Sequence, residues 1–373
     1  MTGVPRPEDA RILVTGSSGY IGTVLMGELA ARGYSPDGLD AGFYDNETLY
    51  RDGNDSPPRL VRDTRDLQVA DLAGYDVVMH LAELSNDPLC MFNGDFTYDI
   101  NYRGSATLAG KARDAGVRRF VYASSCSIYG TAGGDAAVTE EYRPDPQTAY
   151  ARCKFLVEQD VRALASPDFT PVFLRNATAF GASPSMRFDV VVNNLCGQAW
   201  SDRRIALTSD GSPWRPLVHV RDICGAMIAA MEADADRVRG EAFNVGSDDQ
   251  NYRVREIAEA VAAEFPGCEL TLGGSDSDNR SYRVSFAKIR ERLPEFRCQW
   301  NLERGTAELR QVFERIAMSR ETFESPTFTR LRRIRELIES GRLDDTLRWR
   351  SPDLPQSTDV PRAADRTPAH GAV

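Results

Sequence analysis

Residues 148–154 read TAYARCK, which places Tyr150 four positions ahead of Lys154. Only three lysines occur, Lys111, Lys154 and Lys288, against 42 arginines. A lysine at this spacing is therefore a choice of side chain rather than of charge alone. A phenol with a pKa near ~10 is a poor base at neutral pH. An ammonium one helical turn away favours the phenolate and can also hold a nicotinamide ribose. Such a pair is a proton shuttle for alcohol–ketone chemistry, with hydride passing to or from a nicotinamide. The substrate oxygen also needs a hydrogen-bond partner, and SSCSIYG at 124–130 offers serines at a strand end.

Glycine-rich sequence supplies the matching cofactor turn. VTGSSGYIG (14–22) puts Gly16, Gly19 and Gly22 directly after a strand and at the start of a helix. The first glycine allows a tight turn, and the second lets backbone approach a pyrophosphate. The helix N-terminus, with Ser18, Tyr20 and Ile21 around it, then offers N–H groups to the anion. Asp40, eighteen residues beyond Gly22, stands where the second strand should end. It either receives the ribose hydroxyls and repels a 2′-phosphate, favouring NAD over NADP, or starts a turn. Asp63 either reaches the adenine from a later loop or is a solvated charge.

The elements that must hold these groups are β-branched runs alternating with helical patterns. RILVTG (11–16), DVVMHLA (76–82), RRFVYASS (118–125) and TPVFLRNATAF (170–180) read as buried parallel strands. Helices are expected at 20–33, closed by Gly33, at 100–116, and at 188–200 among irregular loops. The alternation predicts an α/β Rossmann-type doubly wound sheet over 1–182. A strand near 241–247 returns to it, so the smaller substrate domain at 183–320 is interleaved through a segment near 220–250. Residues 321–350 read as an amphipathic helical extension that packs on the body or a partner, with Arg330, Arg332, Arg333 and Arg335 as a solvated basic face. The Pro-rich stretch 351–373 reads as a disordered tail.

Composition narrows the partners. A net charge of −10 and 27% charged residues argue against nucleic acid or an anionic membrane. No run of eighteen apolar residues occurs, and the N-terminus has no signal-like apolar segment, so a cytoplasmic setting is expected. Seven scattered cysteines without a CxxC pair predict reduced thiols and no metal site. His219, in a VHV context, reads as a packed structural histidine.

Taken together, TGSSGYIG, MHLAE, SSCSIYG, YARCK, RPLVHVRD and FNVGS resemble the nucleotide-sugar branch of the extended short-chain dehydrogenase/reductases, over about residues 11 to 310. The resemblance implies Ser125, Tyr150 and Lys154 as the catalytic set, with Tyr150 the acid/base. It implies that Leu81 and Ala82 pass the ribose of NAD, and that Asn101 orders its helix and a water beside the cofactor. Arg215 would clamp a substrate diphosphate, with Asn194 reaching the same region, Arg280 as a second clamp, and Ser127 beside the sugar. It also implies a homodimer paired through helices 100–116 and 147–166.

Dehydratases of this branch carry acidic residues just after the catalytic Ser/Thr, where this chain has Cys126 and Ser127. Redox-neutral epimerisation of a nucleotide-diphosphate sugar is therefore the expected reaction, most like a sugar-nucleotide 4-epimerase. A net NAD-dependent oxidoreductase, a dehydratase and a non-catalytic NAD-binding regulator are the alternatives. Thr178 stands where many relatives carry asparagine, and the loop LSNDPLCMFN (84–93) departs from the commonest version.

Overall fold

A computed structural model describes residues 6–45, 48–51, 59–85, 87–131, 136–274 and 281–350. Arg280 and the 351–373 tail lie outside the described residues. Six strands, β1 (Ile12–Thr15), β2 (Asp37–Asp40), β3 (Arg59–Val61), β4 (Val77–His80), β5 (Arg119–Ser125) and β6 (Thr170–Asn176), join Ala242–Val245 in one parallel sheet. Its order runs Ala242–Val245, β6, β5, β4, β1, β2, β3. Every residue of β1, β4 and β6 is buried, as expected of a sheet covered on both faces.

The two faces have separate apolar layers. Helices Ser105–Asp114 and Ala149–Arg162 bury Leu108, Ala112, Val157 and Val161 against one face. Helices α1 (Tyr20–Ala31) and Val220–Glu232 bury Leu25, Leu29, Ile223 and Met227 against the other. The strand order reverses between β1 and β4, so a crevice opens at their carboxyl ends, where doubly wound sheets take ligands.

Two features depart from the sequence-based expectation. The run at 170–180 is one strand in sequence but two in space: β6 ends at Asn176, and Thr178–Phe180 joins a second sheet with Trp214–His219 and Asn251–Arg253. The strand Arg59–Val61, at the sheet edge, has no counterpart among the expected strands. It is three residues long, too short for a period-2 signal.

Of the four arginines expected on a solvated face of the extension, Arg332 and Arg335 are exposed but Arg330 and Arg333 are buried. Its helix Arg330–Glu339 aligns Arg330, Arg333, Ile334 and Leu337 on one buried face. The apolar pair fills a cluster with Phe43, Leu84, Leu89 and Leu347. The two arginines are drawn in because their guanidinium groups find partners there. Arg333 Nε donates to Phe43 O at 3.2 Å and Arg330 Nη2 to Ser185 O at 3.2 Å, with the Arg330 guanidinium 4.1 Å from the Tyr44 ring centre. Beyond it, Trp349 Nε1 donates to Ala41 O at 2.6 Å, and Arg348 lies 3.3 Å from Asp63. The segment thus crosses the body beside β2 and the loop after β3. Among the described residues, no helix is long and apolar enough to cross a membrane.

Candidate active site

The turn after β1 is built for an anion. Gly16 has φ +76, and a Cβ there would stand 2.8 Å from Ala82 N. A Cβ on Gly22 would lie 2.0 Å from Gly16 O, so only glycine lets α1 start this close to β1. The first N–H groups of α1 have no partner within the helix, and they face a cavity of about 660 Å³ lined by Gly16, Gly19, Tyr20, Ile21 and Gly22. The Tyr20 phenol is committed to Gly181 O at 2.7 Å, which leaves its backbone for a phosphate. Gly22→Ala is expected to cost about 1–3 kcal/mol by overpacking, read as a lower melting temperature. It should also weaken NAD binding about tenfold or more, read by fluorescence titration, a loss of ~1.4 kcal/mol per decade.

Asp40 closes the same turn. Its Oδ2 accepts from Ser18 N at 3.0 Å and its Oδ1 from Gly42 N at 2.8 Å. Ser18 Oγ accepts in turn from Arg59 at 2.6 Å. Burial and neighbouring Asp45 push the Asp40 carboxyl above its ordinary range. A ribose diol suits this position, whereas a 2′-phosphate would add charge to a site already short of water. Asp63, Leu81 and Ala82 line the cavity further along. Asp63 is gripped by Arg65, whose Nη2 donates to Oδ2 at 2.7 Å.

The residues expected to act as acid and base meet in that cavity. Ser125 ends β5, and its Oγ accepts from Ser127 N at 3.1 Å, turning the chain into the Cys126–Tyr129 helix. Tyr150 opens the helix Ala149–Arg162, which Thr148 caps by accepting from Ala151 N at 3.2 Å. Ser125, Ser127, Tyr150 and Lys154 all line the cavity. The Lys154 ammonium lies 5.6 Å from the Tyr150 ring centre and donates to Ala123 O. Burial raises the Tyr150 phenol above its ordinary value, with Lys154 opposing.

Asn101, expected to order its helix and a water beside the cofactor, is not among the residues lining the cavity. Fully buried, it donates from Nδ2 to Leu84 O at 2.8 Å and accepts from Leu84 N at 2.8 Å. It pins the loop after β4, and its side chain is engaged with the backbone rather than with the cavity. The helix around it, Tyr98–Gly104, is π-wound.

Arg215 and Asn194, expected to hold a substrate diphosphate, also line the cavity. Arg215 Nη1 donates to Trp214 O at 2.9 Å, and Asn194 is held by Phe188 O and Gln198 at 2.9 and 2.6 Å. His219 packs as expected: Nε2 lies 2.9 Å from Glu308 and the ring stacks 4.1 Å from that of Trp300.

Residues missed in sequence also line the cavity, among them Glu83, Asn176, Arg187 and Arg330. Arg187 is ion-paired to Asp189 at 2.8 Å through Nε, while its buried Nη2 finds no partner. Asn176 Oδ1 and Ser127 Oγ are likewise buried without partners. The orphan groups suit a polyhydroxylated, anionic ligand, since buried polar atoms are ordinarily satisfied.

Residues 12–246 match the NAD dependent epimerase/dehydratase family, with the glycine turn, Ser125 and the Tyr150–Lys154 pair all inside the match. The chain belongs to that family. NAD is its cofactor. UDP-glucose 4-epimerase 1 of Oryza sativa subsp. japonica is 30% identical over 331 residues, covering 80% of this chain and 92% of that one. The solved structure of MoeE5 in complex with UDP-glucose and NAD is 25% identical, with a TM-score of 0.70 over 83% of this chain and 100% of that one. DesIV, a dTDP-glucose 4,6-dehydratase from Streptomyces venezuelae with NAD and TYD bound, shares the fold at 23% identity and TM-score 0.70, over 82% of this chain and 97% of that one. Epimerases and dehydratases of the family thus share one architecture, and the reaction must be argued from the site.

Proposed function

We propose that this protein epimerises a nucleotide-diphosphate sugar through a transient keto sugar, most like a 4-epimerase. The strongest support is the pair of side chains directly after Ser125. Cys126 is turned into the core, its Sγ 3.1 Å from Arg175 O, and Ser127 presents an unpartnered hydroxyl to the cavity. Neither is an acid that could drive elimination of water, whereas a hydroxyl can hold a sugar through either half of an inversion.

Bound NAD supplies the hydride acceptor and then the donor. Ser125 holds the reacting oxygen, and Tyr150 takes its proton as the alcohol becomes a ketone, then returns it to the same oxygen after the sugar has turned. Lys154 holds the nicotinamide ribose and keeps the phenol within reach of ionisation. Arg215 clamps the diphosphate, with Asn194 beside it, so that one end stays fixed while the sugar rotates. By family resemblance the protein works as a cytoplasmic homodimer paired through the helices Ser105–Asp114 and Ala149–Arg162; sedimentation velocity should then show two chains per particle.

The test is mass spectrometry with NMR on a panel of nucleotide sugars, no cofactor being added. A product of unchanged mass and altered stereochemistry is the expected result. Loss of water would make the protein a dehydratase, and a two-hydrogen change seen only with supplied NAD or NADH would make it a net oxidoreductase.

A further inference from the structure

Lys154 is held by a carboxylate that the proton shuttle does not call for. Its Nζ lies 2.7 Å from Glu83 Oε2, with side chains 5% and 2% exposed. Glu83 sits in the loop after β4, and its Oε1 accepts from Ser105 Oγ at 2.9 Å and from Tyr122 OH at 2.6 Å. Ser105 has one hydrogen, and it goes to Glu83. His80 Nε2, 2.8 Å from Ser105 Oγ, must then carry its own proton and donate. His80 Nδ1 in turn accepts from Thr15 Oγ1 at 2.6 Å. Burial, aided by Lys154, lowers the His80 pKa to about 3, so the ring stays neutral. One buried chain of hydrogen bonds thus runs from the last residue of β1, beside the glycine turn, through His80 and Ser105 to Glu83, whose other oxygen is ion-paired with Lys154.

The arrangement counts out the lysine's donors. An ammonium has three N–H bonds. One is directed at Ala123 O, the Glu83 carboxylate lies against the nitrogen as an ion pair, and the Tyr122 ring lies 4.6 Å from it on its flank. These three neighbours narrow the directions left open for a ribose hydroxyl or the phenolic oxygen. A buried ion pair is weak evidence for stability, because desolvating both charges offsets their attraction. Its value here lies in placement and in charge. An unaccompanied ammonium would pull Tyr150 strongly toward phenolate; a carboxylate against that ammonium cancels most of the pull.

We propose that Glu83 is a positioning residue of the catalytic pair, fixing the Lys154 ammonium and, by neutralising it, keeping Tyr150 protonated until a substrate is bound. The inference rests on Tyr150 and Lys154 as the acid/base pair and is independent of which sugar is turned over. The groups around the phenol pull in both directions. Lys154 on its own helix favours the phenolate, while Glu83, and Asp87 and Cys90 from the helix Asp87–Phe92, oppose it. Arg187 faces it from the loop before Val191, and Tyr122 from β5. Around Lys154, burial alone would lower the ammonium's pKa, but Glu83 and Tyr150 hold it above its ordinary value; neutral His80 and Cys153 complete its surroundings.

Removing the Glu83 charge takes away a group that disfavours the phenolate and the counter-ion that holds the ammonium, so both protons come off at lower pH. In Glu83→Gln, the ultraviolet phenolate transition of the NAD-bound protein, identified by subtracting the same scan of Tyr150→Phe, should move about one pH unit downward. The acid limb of the rate profile should move with it. Glu83→Asp keeps the charge and should leave the transition near its original midpoint, with kcat reduced by the misplaced ammonium. An unmoved midpoint in Glu83→Gln, or equal shifts in both variants, would overturn the proposal. If Glu83→Gln does not fold, Glu83→Asp decides alone. A lower kcat at an unchanged midpoint supports positioning, and a lower melting temperature with unchanged kcat overturns it. A failed epimerase assay would leave the absorbance result standing, which separates this inference from the proposed reaction.

Discussion

Tyr150→Phe is expected to lower turnover about 10²–10⁴-fold, the usual contribution of a positioned general acid/base, while NAD remains bound. The substitution removes one oxygen from a ring that keeps its packing beside Phe43, Leu84 and Ile334. Fold and cofactor affinity should therefore survive, which thermal melting and the absorbance of bound NAD would check. So large an effect follows from the proposed mechanism, in which the phenol serves as acid and base of both half-reactions and its loss strikes oxidation and reduction alike. Single-turnover measurements should show the hydride step itself slowed. A protein that uses NAD only as a signal would keep its behaviour through the change, and near-normal turnover of an identified substrate would remove Tyr150 from the mechanism.

Glu158→Ala is expected to be the most damaging substitution outside the cavity, at about 3–5 kcal/mol, because it strands a buried guanidinium. Glu158 lies two turns beyond Tyr150 on the same helix and takes both forks of Arg175: Nη2 to Oε2 at 2.7 Å and Nε to Oε1 at 3.0 Å. It also accepts from Ser124 Oγ at 2.6 Å. Arg175 continues the network to Tyr129 OH at 3.0 Å and Glu140 O at 3.1 Å. This network binds the Tyr150 helix to the ends of β5 and β6, one residue from Ser125. A urea titration should show the loss of stability, and the surviving folded fraction should have reduced kcat as Ser125 and Tyr150 drift apart. A change of less than about 1 kcal/mol, the level of an exposed pair, would contradict that role for Glu158.

The parts of the site legible in sequence are those that act through backbone or through fixed spacing. Gly16 and Gly22 announce themselves because no other residue fits a Cβ-free turn, and Tyr150 and Lys154 because i,i+4 places them on one helix face. The alternating runs likewise point to the parallel sheet, since β4 and β6 are buried end to end. What stays hidden depends on long-range contact. Glu83 and Lys154 are seventy-one positions apart in sequence, and nothing local marks their pairing. Arg187 is hidden for the same reason, as its partners are a nearby aspartate and a distant loop carbonyl, Ser85 O at 3.4 Å. Arg330 and Arg333 read as solvated because arginine usually is. Only the carbonyls that receive them in the folded protein explain their burial. Asn101 stands out in sequence as special, but for a loop it pins at Leu84, seventeen residues away.

The carboxyl-terminal segment has a consequence for cellular redox state. Through Trp349 on Ala41, Arg333 on Phe43 and Arg348 on Asp63, it packs against residues that line the cavity beside Asp40, and Arg330 enters the lining itself. A dinucleotide whose adenosine lay against this segment would leave only as fast as the segment yields. The slower that release, the less an epimerisation that returns its hydride would depend on the surrounding ratio of oxidised to reduced nicotinamide.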